Sequence, residues 1–100
     1  MQIVKTIQQA AVKSLSELYK QEFTEKDFQV NQTKPEFEGD YTVVLFSLLK
    51  KTGKAPQQLG EKLGNDMVKN NPSLFSGFNI IKGFLNFNIA DSFWLQLLQN

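Results

Sequence analysis

The stretch from Phe78 to Ile89 limits what this chain can fold into more than any other. Two β-prone segments, Phe78-Asn79-Ile80-Ile81 and Phe84-Leu85-Asn86-Phe87-Asn88-Ile89, stand on either side of Lys82-Gly83. A two-residue link ending in glycine between such segments predicts a tight antiparallel connection, so the chain must contain a sheet. Strict alternation directs Leu85, Phe87 and Ile89 toward a core and Asn86 and Asn88 away from it. Phe84 breaks the pattern by putting an aromatic ring on the polar side.

Helical spacing dominates elsewhere. Ile3, Ile7, Ala10, Ala11, Leu15 and Leu18 recur at steps of three and four and predict a first helix over 3–20, with Lys5, Gln8, Gln9, Lys13 and Glu17 on its solvated side. Phe28, Val30 and Gln32 alternate with polar neighbours as a half-exposed strand that Pro35 ends. Glu36 to Gly39 then form a loop, and Asp40 is the expected N-cap of a helix over 41–51 that buries Tyr41, Val44, Leu45, Leu48 and Leu49, with Phe46 widening its apolar face. Gly53 closes that helix, Pro56 opens another that runs to about Asn70, and Asn70-Asn71-Pro72 ends it. In this helix Leu59, Leu63 and Met67 share a face, flanked by Gly60 and Gly64, which weaken it in isolation. Asp91 or Ser92 caps a last helix rich in apolar residues, Phe93, Trp94, Leu97 and Leu98, which is short enough to suggest a domain cut from a longer protein.

Composition narrows the chemistry. The 100 residues include no cysteine, histidine or arginine, so thiol nucleophiles, disulfides, structural zinc and imidazole acid–base pairs are excluded. The length fits one domain, 1–100, and no stretch resembles a signal-peptide core or a membrane span, which leads to the expectation of a cytoplasmic chain. With a net charge of +1 the chain sets up no global field, and any attraction for nucleic acid must come from local lysines.

Candidate sites are correspondingly few. Glu36, Glu38 and Asp40 lack a calcium-loop order, and exposure of the glutamates with capping by Asp40 explains them without a metal or a hydrolase. No phosphate loop or dinucleotide fingerprint occurs, and the serines have no histidine to activate them. Lys50, Lys51 and Lys54, extended by Lys62 or Lys34, form the best basic cluster for phosphates, although their place at a helix end also suits the helix dipole. Phe37 and Tyr41 offer stacking surfaces if exposed, and Asn79, Asn86 and Asn88 offer amides for base edges or sugars.

Lys34-Pro35-Glu36-Phe37-Glu38-Gly39-Asp40-Tyr41 followed by Val43–Lys51, then Lys54-Ala55-Pro56 before a helix, then Gly83-Phe84-Leu85-Asn86-Phe87, resembles in order and content the N-terminal additional domain of arginyl-tRNA synthetases. The resemblance covers nearly the whole chain. It implies an α+β, two-layer domain, a four-stranded antiparallel sheet covered by helices in an αββααββα-like order with short strands. It further implies recognition of the elbow of arginine tRNA, especially its D-loop, by a domain that is not itself an enzyme. ATP, with magnesium, would serve a separate catalytic domain of the parent ligase, and no cofactor is expected in this chain. Gly39, Asp40 and Tyr41, with Gly83, Phe84 and Phe87, match the family's structural motifs, while Lys50, Lys51, Lys54 and Asn86 are the candidate RNA contacts. Val43 and Val44 stand where many members carry polar residues, which favours packing over RNA contact there. The alternative from another class is a protein-interaction or structural adaptor that uses the apolar face of Phe93, Trp94, Leu97 and Leu98.

Overall fold

The computed structural model describes residues 3–99, with side chains as far as Gln96. In chain order the elements are α1 (Ile3–Tyr19), β1 (Val30–Gln32), β2 (Tyr41–Val44), α2 (Leu49–Thr52), α3 (Pro56–Asn70), β3 (Phe75–Ile81), β4 (Phe84–Ile89) and α4 (Asp91–Gln99). Short 3-10 turns at Glu25–Asp27 and Phe46–Leu48 join them. The four strands form one antiparallel sheet in the order β1-β2-β4-β3. This is the α+β architecture that the resemblance implied.

The β3–β4 hairpin turns at Lys82 and Gly83, whose φ values of 47° and 85° are both positive, as a type I′ turn requires. Leu85, Phe87 and Ile89 face the core as their alternation predicts. The Phe87 ring lies 4.4 Å from that of Phe75 and 6.2 Å from that of Phe78. Two helices complete this core. α1 buries Ile7, Ala11 and Leu15, and α3 buries Leu59, Leu63 and Met67. α3 rests on β3 at two glycines: a Cβ at Gly64 would lie 2.7 Å from the ring of Phe78, and one at Gly60 would lie 2.8 Å from Ile80 Cδ1. The glycines that weaken the isolated helix are what let it approach the sheet.

Residues 41–51 correct the sequence expectation of a helix. Tyr41–Val44 is instead a strand between β1 and β4, paired Val43↔Val30 and Val43↔Leu85. β-branched Thr42, Val43 and Val44 suit an extended backbone, and ladders on both sides satisfy backbone groups that a helix would have satisfied locally. Only Leu49–Thr52 is α-helical, and Gly53, at φ 69°, ends it. Asp40 therefore caps no helix. Ser92 likewise donates its hydroxyl to Ser73 O at 2.9 Å, and Asp91 is the first residue of α4.

Candidate nucleic-acid interface on the open sheet face

Helices α1 and α3 cover one side of the sheet, and the opposite side is built from the residues that alternate outward. In register across all four strands stand Asn79, Asn86, Thr42 and Asn31, a polar row, and beside it Ile81, Phe84 and Val44, an apolar one.

Three members of the polar row, Thr42, Asn86 and Asn79, form a hydrogen-bonded relay. Thr42 Oγ1 donates to Asn86 Oδ1 at 2.5 Å, and Asn86 Nδ2 donates to Asn79 Oδ1 at 3.0 Å. Asn79 Nδ2 donates in turn to Glu38 O at 2.7 Å, and the Thr33 and Thr42 hydroxyls lie 2.9 Å apart. The β1–β2 connection thus folds down over part of the sheet. Gly39, at φ 135°, passes so close that a Cβ there would sit 3.1 Å from Asn86 Cβ. Asp40 fastens the loop: its backbone N–H donates to Phe87 O at 2.7 Å, its backbone O accepts from Thr33 N, and its carboxylate accepts from Ile89 N.

Where the loop stops, a recess opens, lined by Asn31, Gln32, Lys34, Phe37, Thr42, Val44 and Phe84. The Phe37 and Phe84 rings stand 6.1 Å apart with their planes 38° from parallel, and Lys34 Nζ lies 4.9 Å from the centre of the Phe84 ring. Asn31, Gln32 and Lys34 are exposed, so their amides and ammonium are available beside an aromatic wall. Such a set can stack a planar base, bond its edge and neutralise its phosphate.

The structure distributes the sequence candidates differently. Asn86 points outward, but it is 0% exposed beneath the loop and its amide serves Thr42 and Asn79. Lys51 is exposed, but its ammonium is already engaged by other groups of the chain. Its ammonium donates to Glu22 O, pairs with Asp27 at 3.3 Å and lies 4.4 Å from the centre of the Phe23 ring. Lys50 and Lys54 are exposed, Lys54 in a separate groove with Tyr19, Gln58 and Lys62. Tyr19 Oη is buried with no hydrogen-bond partner among the described residues, and burial raises the pKa of this hydroxyl above its ordinary value. Tyr41 is half-buried and packs against the core. Asn31 and Gln32 were not among the candidates, and the out-of-pattern Phe84 was the sequence signal for this face.

Among the motif residues, Gly39 and Asp40 hold the loop, Tyr41 begins β2, Gly83 completes the hairpin turn, Phe84 forms the recess wall and Phe87 lies in the core. At the far end, Phe93 is buried, Trp94 half-buried and Leu95 58% exposed, while the side chains of Leu97 and Leu98 lie outside the described residues. Among the described residues no group of three or more acidic, histidine or cysteine residues is arranged to hold a metal, and no helix is long and apolar enough to cross a membrane.

Residues 2–89 match the family model of the arginyl-tRNA synthetase N-terminal domain. The chain is 41% identical over 98 residues to the arginine–tRNA ligase of Bacteroides thetaiotaomicron and 36% identical over 100 residues to that of Phocaeicola vulgatus. These matches take in 98% and 100% of the chain but only 16% of each relative, so the chain spans about a sixth of their length. The fold is also that of part of the solved arginyl-tRNA synthetase of Thermus thermophilus, with a TM-score of 0.76 at 22% identity over 99% of this chain and 16% of that one.

Proposed function

The chain belongs to the arginyl-tRNA synthetase N-terminal domain family, and on that premise we propose that it positions arginine tRNA by holding the D-loop at the tRNA elbow. The domain is non-catalytic. Ligation of arginine, with ATP and magnesium, falls in this reading to the catalytic domain of a cytoplasmic parent enzyme.

The observation that carries the reading is the recess of Phe37 and Phe84 under Lys34. An unpaired loop base presents a flat π-face for the rings, an edge for the amides of Asn31 and Gln32, and a phosphate for Lys34. A base-paired stem presents none of its faces for stacking, which favours a loop as the ligand. The chain has no arginine, so phosphate is met by ammonium point charges rather than a guanidinium fork, and orientation depends on the rings and amides. Lys50 and Lys54, both exposed, are available for further backbone contacts. Leu95 on α4, beside half-buried Trp94, supports contact between α4 and the catalytic domain.

The test is charging kinetics of the full-length synthetase. Lys34→Ala and Phe37→Leu should each raise KM for arginine tRNA by roughly tenfold, on the scale of one lost stacking or phosphate contact, and leave KM for arginine and ATP unchanged. On a tRNA with a truncated D-loop the variants and the parent should converge. Unchanged KM for intact tRNA, or equal losses on both tRNAs, would overturn the assignment.

A further inference from the structure

Phe46 is held in the open by a rigid frame. It is 53% exposed, yet Leu45 and Leu48 beside it are fully buried. Leu45 N donates to Gly83 O at 2.9 Å, and Leu48 N donates to Leu45 O at 2.9 Å, which fixes the turn on which the ring stands. Gly83 makes room for it, since a Cβ there would lie 2.7 Å from Phe46 Cε1 and Cζ. The ring meets Phe84 at a centroid distance of 5.5 Å with the planes at 90°. Two aromatic surfaces therefore form a right-angled corner, and Phe84 belongs to the recess already described.

A second recess begins at that corner. Val44 lines both, so the two are contiguous, and the second adds Lys26, Gln29, Phe46 and Ser47. Its acidic member, Asp27, is ion-paired with Lys51 and accepts from Thr24 N, which mutes its repulsion of an anion. Exposed Lys26 is left to supply positive charge and Gln29 an amide, the same kinds of group that Lys34, Asn31 and Gln32 supply to the first.

We propose that this sheet face takes two successive unpaired nucleotides of RNA, the second stacked on Phe46 with its phosphate near Lys26. The inference rests on the D-loop reading and extends it. Because the rings of Phe46 and Phe84 are perpendicular, bases on their faces cannot remain stacked on each other. The site therefore selects a loop whose neighbouring bases are splayed, and it rejects a stacked single strand as well as a duplex.

The test is a set of binding cycles with the full-length synthetase and arginine tRNAs that carry one abasic nucleotide at each D-loop position in turn. Phe46→Ala should weaken binding of intact tRNA by about tenfold, within the range measured for loss of one base–aromatic stack, and Phe46→Trp should restore it. The Phe46→Ala loss should vanish on one abasic tRNA, and the loss from Phe37→Leu should vanish on the tRNA abasic at the adjacent position. Coupling of both variants to the same position, or a Phe37 effect coupled to the D-loop without any Phe46 effect, would overturn the second nucleotide while leaving the first. Phe46→Ala losses equal on every tRNA and accompanied by a lower melting temperature would mean that the ring packs against protein, which also overturns it. If neither variant couples to any D-loop position, the underlying reading fails as well.

Discussion

The carboxylate of Asp40 accepts a hydrogen bond at 2.8 Å from the backbone N–H of Ile89, forty-nine positions later in the chain. Asp40 N also donates to Phe87 O, so a side chain continues the β2–β4 ladder where Gly39, at φ 135°, has turned the backbone away. Asp40→Ala leaves the Ile89 amide without its acceptor and removes one of the ties on the loop that walls the recess, while the backbone bonds to Phe87 O and from Thr33 N remain. We expect a loss of about 1–3 kcal/mol, the usual penalty for an amide left unsatisfied, read as a lower urea midpoint with an unchanged slope. Asp40→Asn keeps an acceptor oxygen and should lose less. Equal stability of Asp40→Ala and the parent would show that water replaces the carboxylate at no cost.

Asn86 should behave as a structural residue. Its amide accepts from Thr42 and donates to Asn79 in a site with no solvent exposure. Asn86→Leu retains bulk but takes one hydrogen bond from each partner, leaving Thr42 with Thr33 and Asn79 with Glu38 O. The expected loss is roughly 1–3 kcal/mol, because buried Thr42 keeps only the Thr33 hydroxyl and half-buried Asn79 loses the donor to its Oδ1. Denaturant unfolding measures it. If the Asn86→Leu variant proved as stable as the parent, the relay would contribute no more than apolar packing does.

The order of visibility in the sequence follows the range of the interactions. The β3–β4 turn was legible because Lys82-Gly83 supplies its backbone geometry locally, and α1 and α3 were legible because Ile7, Ala11 and Leu15, and Leu59, Leu63 and Met67, repeat at helical spacing. β2 was not. Val44, Leu45, Leu48 and Leu49 keep a helical period across a strand, a 3-10 turn and a short helix, while the ladder that decides the matter comes from Phe84–Phe87. Alternation likewise told which way Asn86 points but not that the 33–40 loop lies over it. Lys51 read as part of a free basic cluster because its partners, Glu22 O and Asp27, belong to a distant turn.

Gly64→Ala reverses the usual preference for alanine in a helix. Intrinsic propensity favours alanine over glycine by about 1 kcal/mol. Here the added Cβ would meet three ring atoms of Phe78 within 2.9 Å, and a ring cannot yield by turning a terminal methyl. α3 must lift from β3, and we expect a net loss of about 1–3 kcal/mol, as for other overpacked cores. Gly60→Ala meets Ile80 Cδ1 at 2.8 Å, the flexible end of its side chain, and should cost less. Thermal melts of the two variants check the ranking, and a Gly64→Ala variant that melts higher than Gly60→Ala would contradict it.

Asp27 sets a pH dependence. Thr24 N, donating at 2.8 Å, does most to hold this carboxyl below the usual carboxylate range; partial desolvation opposes that, and Lys51 adds a smaller lowering. A carboxyl whose folded pKa is depressed binds its proton more readily in the unfolded chain. Its stabilisation is therefore present above the unfolded value of about 3.9 and disappears as pH falls through the lower folded value. Asp27→Asn should melt below the parent near neutral pH, and the gap should close as pH drops below about 4. A gap independent of pH would show that the charge plays no part.

Lys34 and Lys51 should separate binding from stability. Lys34 is exposed at the recess, whereas Lys51 ties α2 to the 22–27 segment through Glu22 O and Asp27. A lysine that meets a single-stranded phosphate releases a counterion, and its loss lowers the slope of log affinity against log salt by about 0.7. Lys34→Gln should therefore flatten the salt dependence of tRNA binding by that amount without moving the melting temperature. Lys51→Gln should do the opposite, lowering the melting temperature while the slope stays unchanged. A flattened slope in the Lys51→Gln variant would return that residue to the RNA-binding surface and require its ammonium to leave Asp27 when tRNA binds.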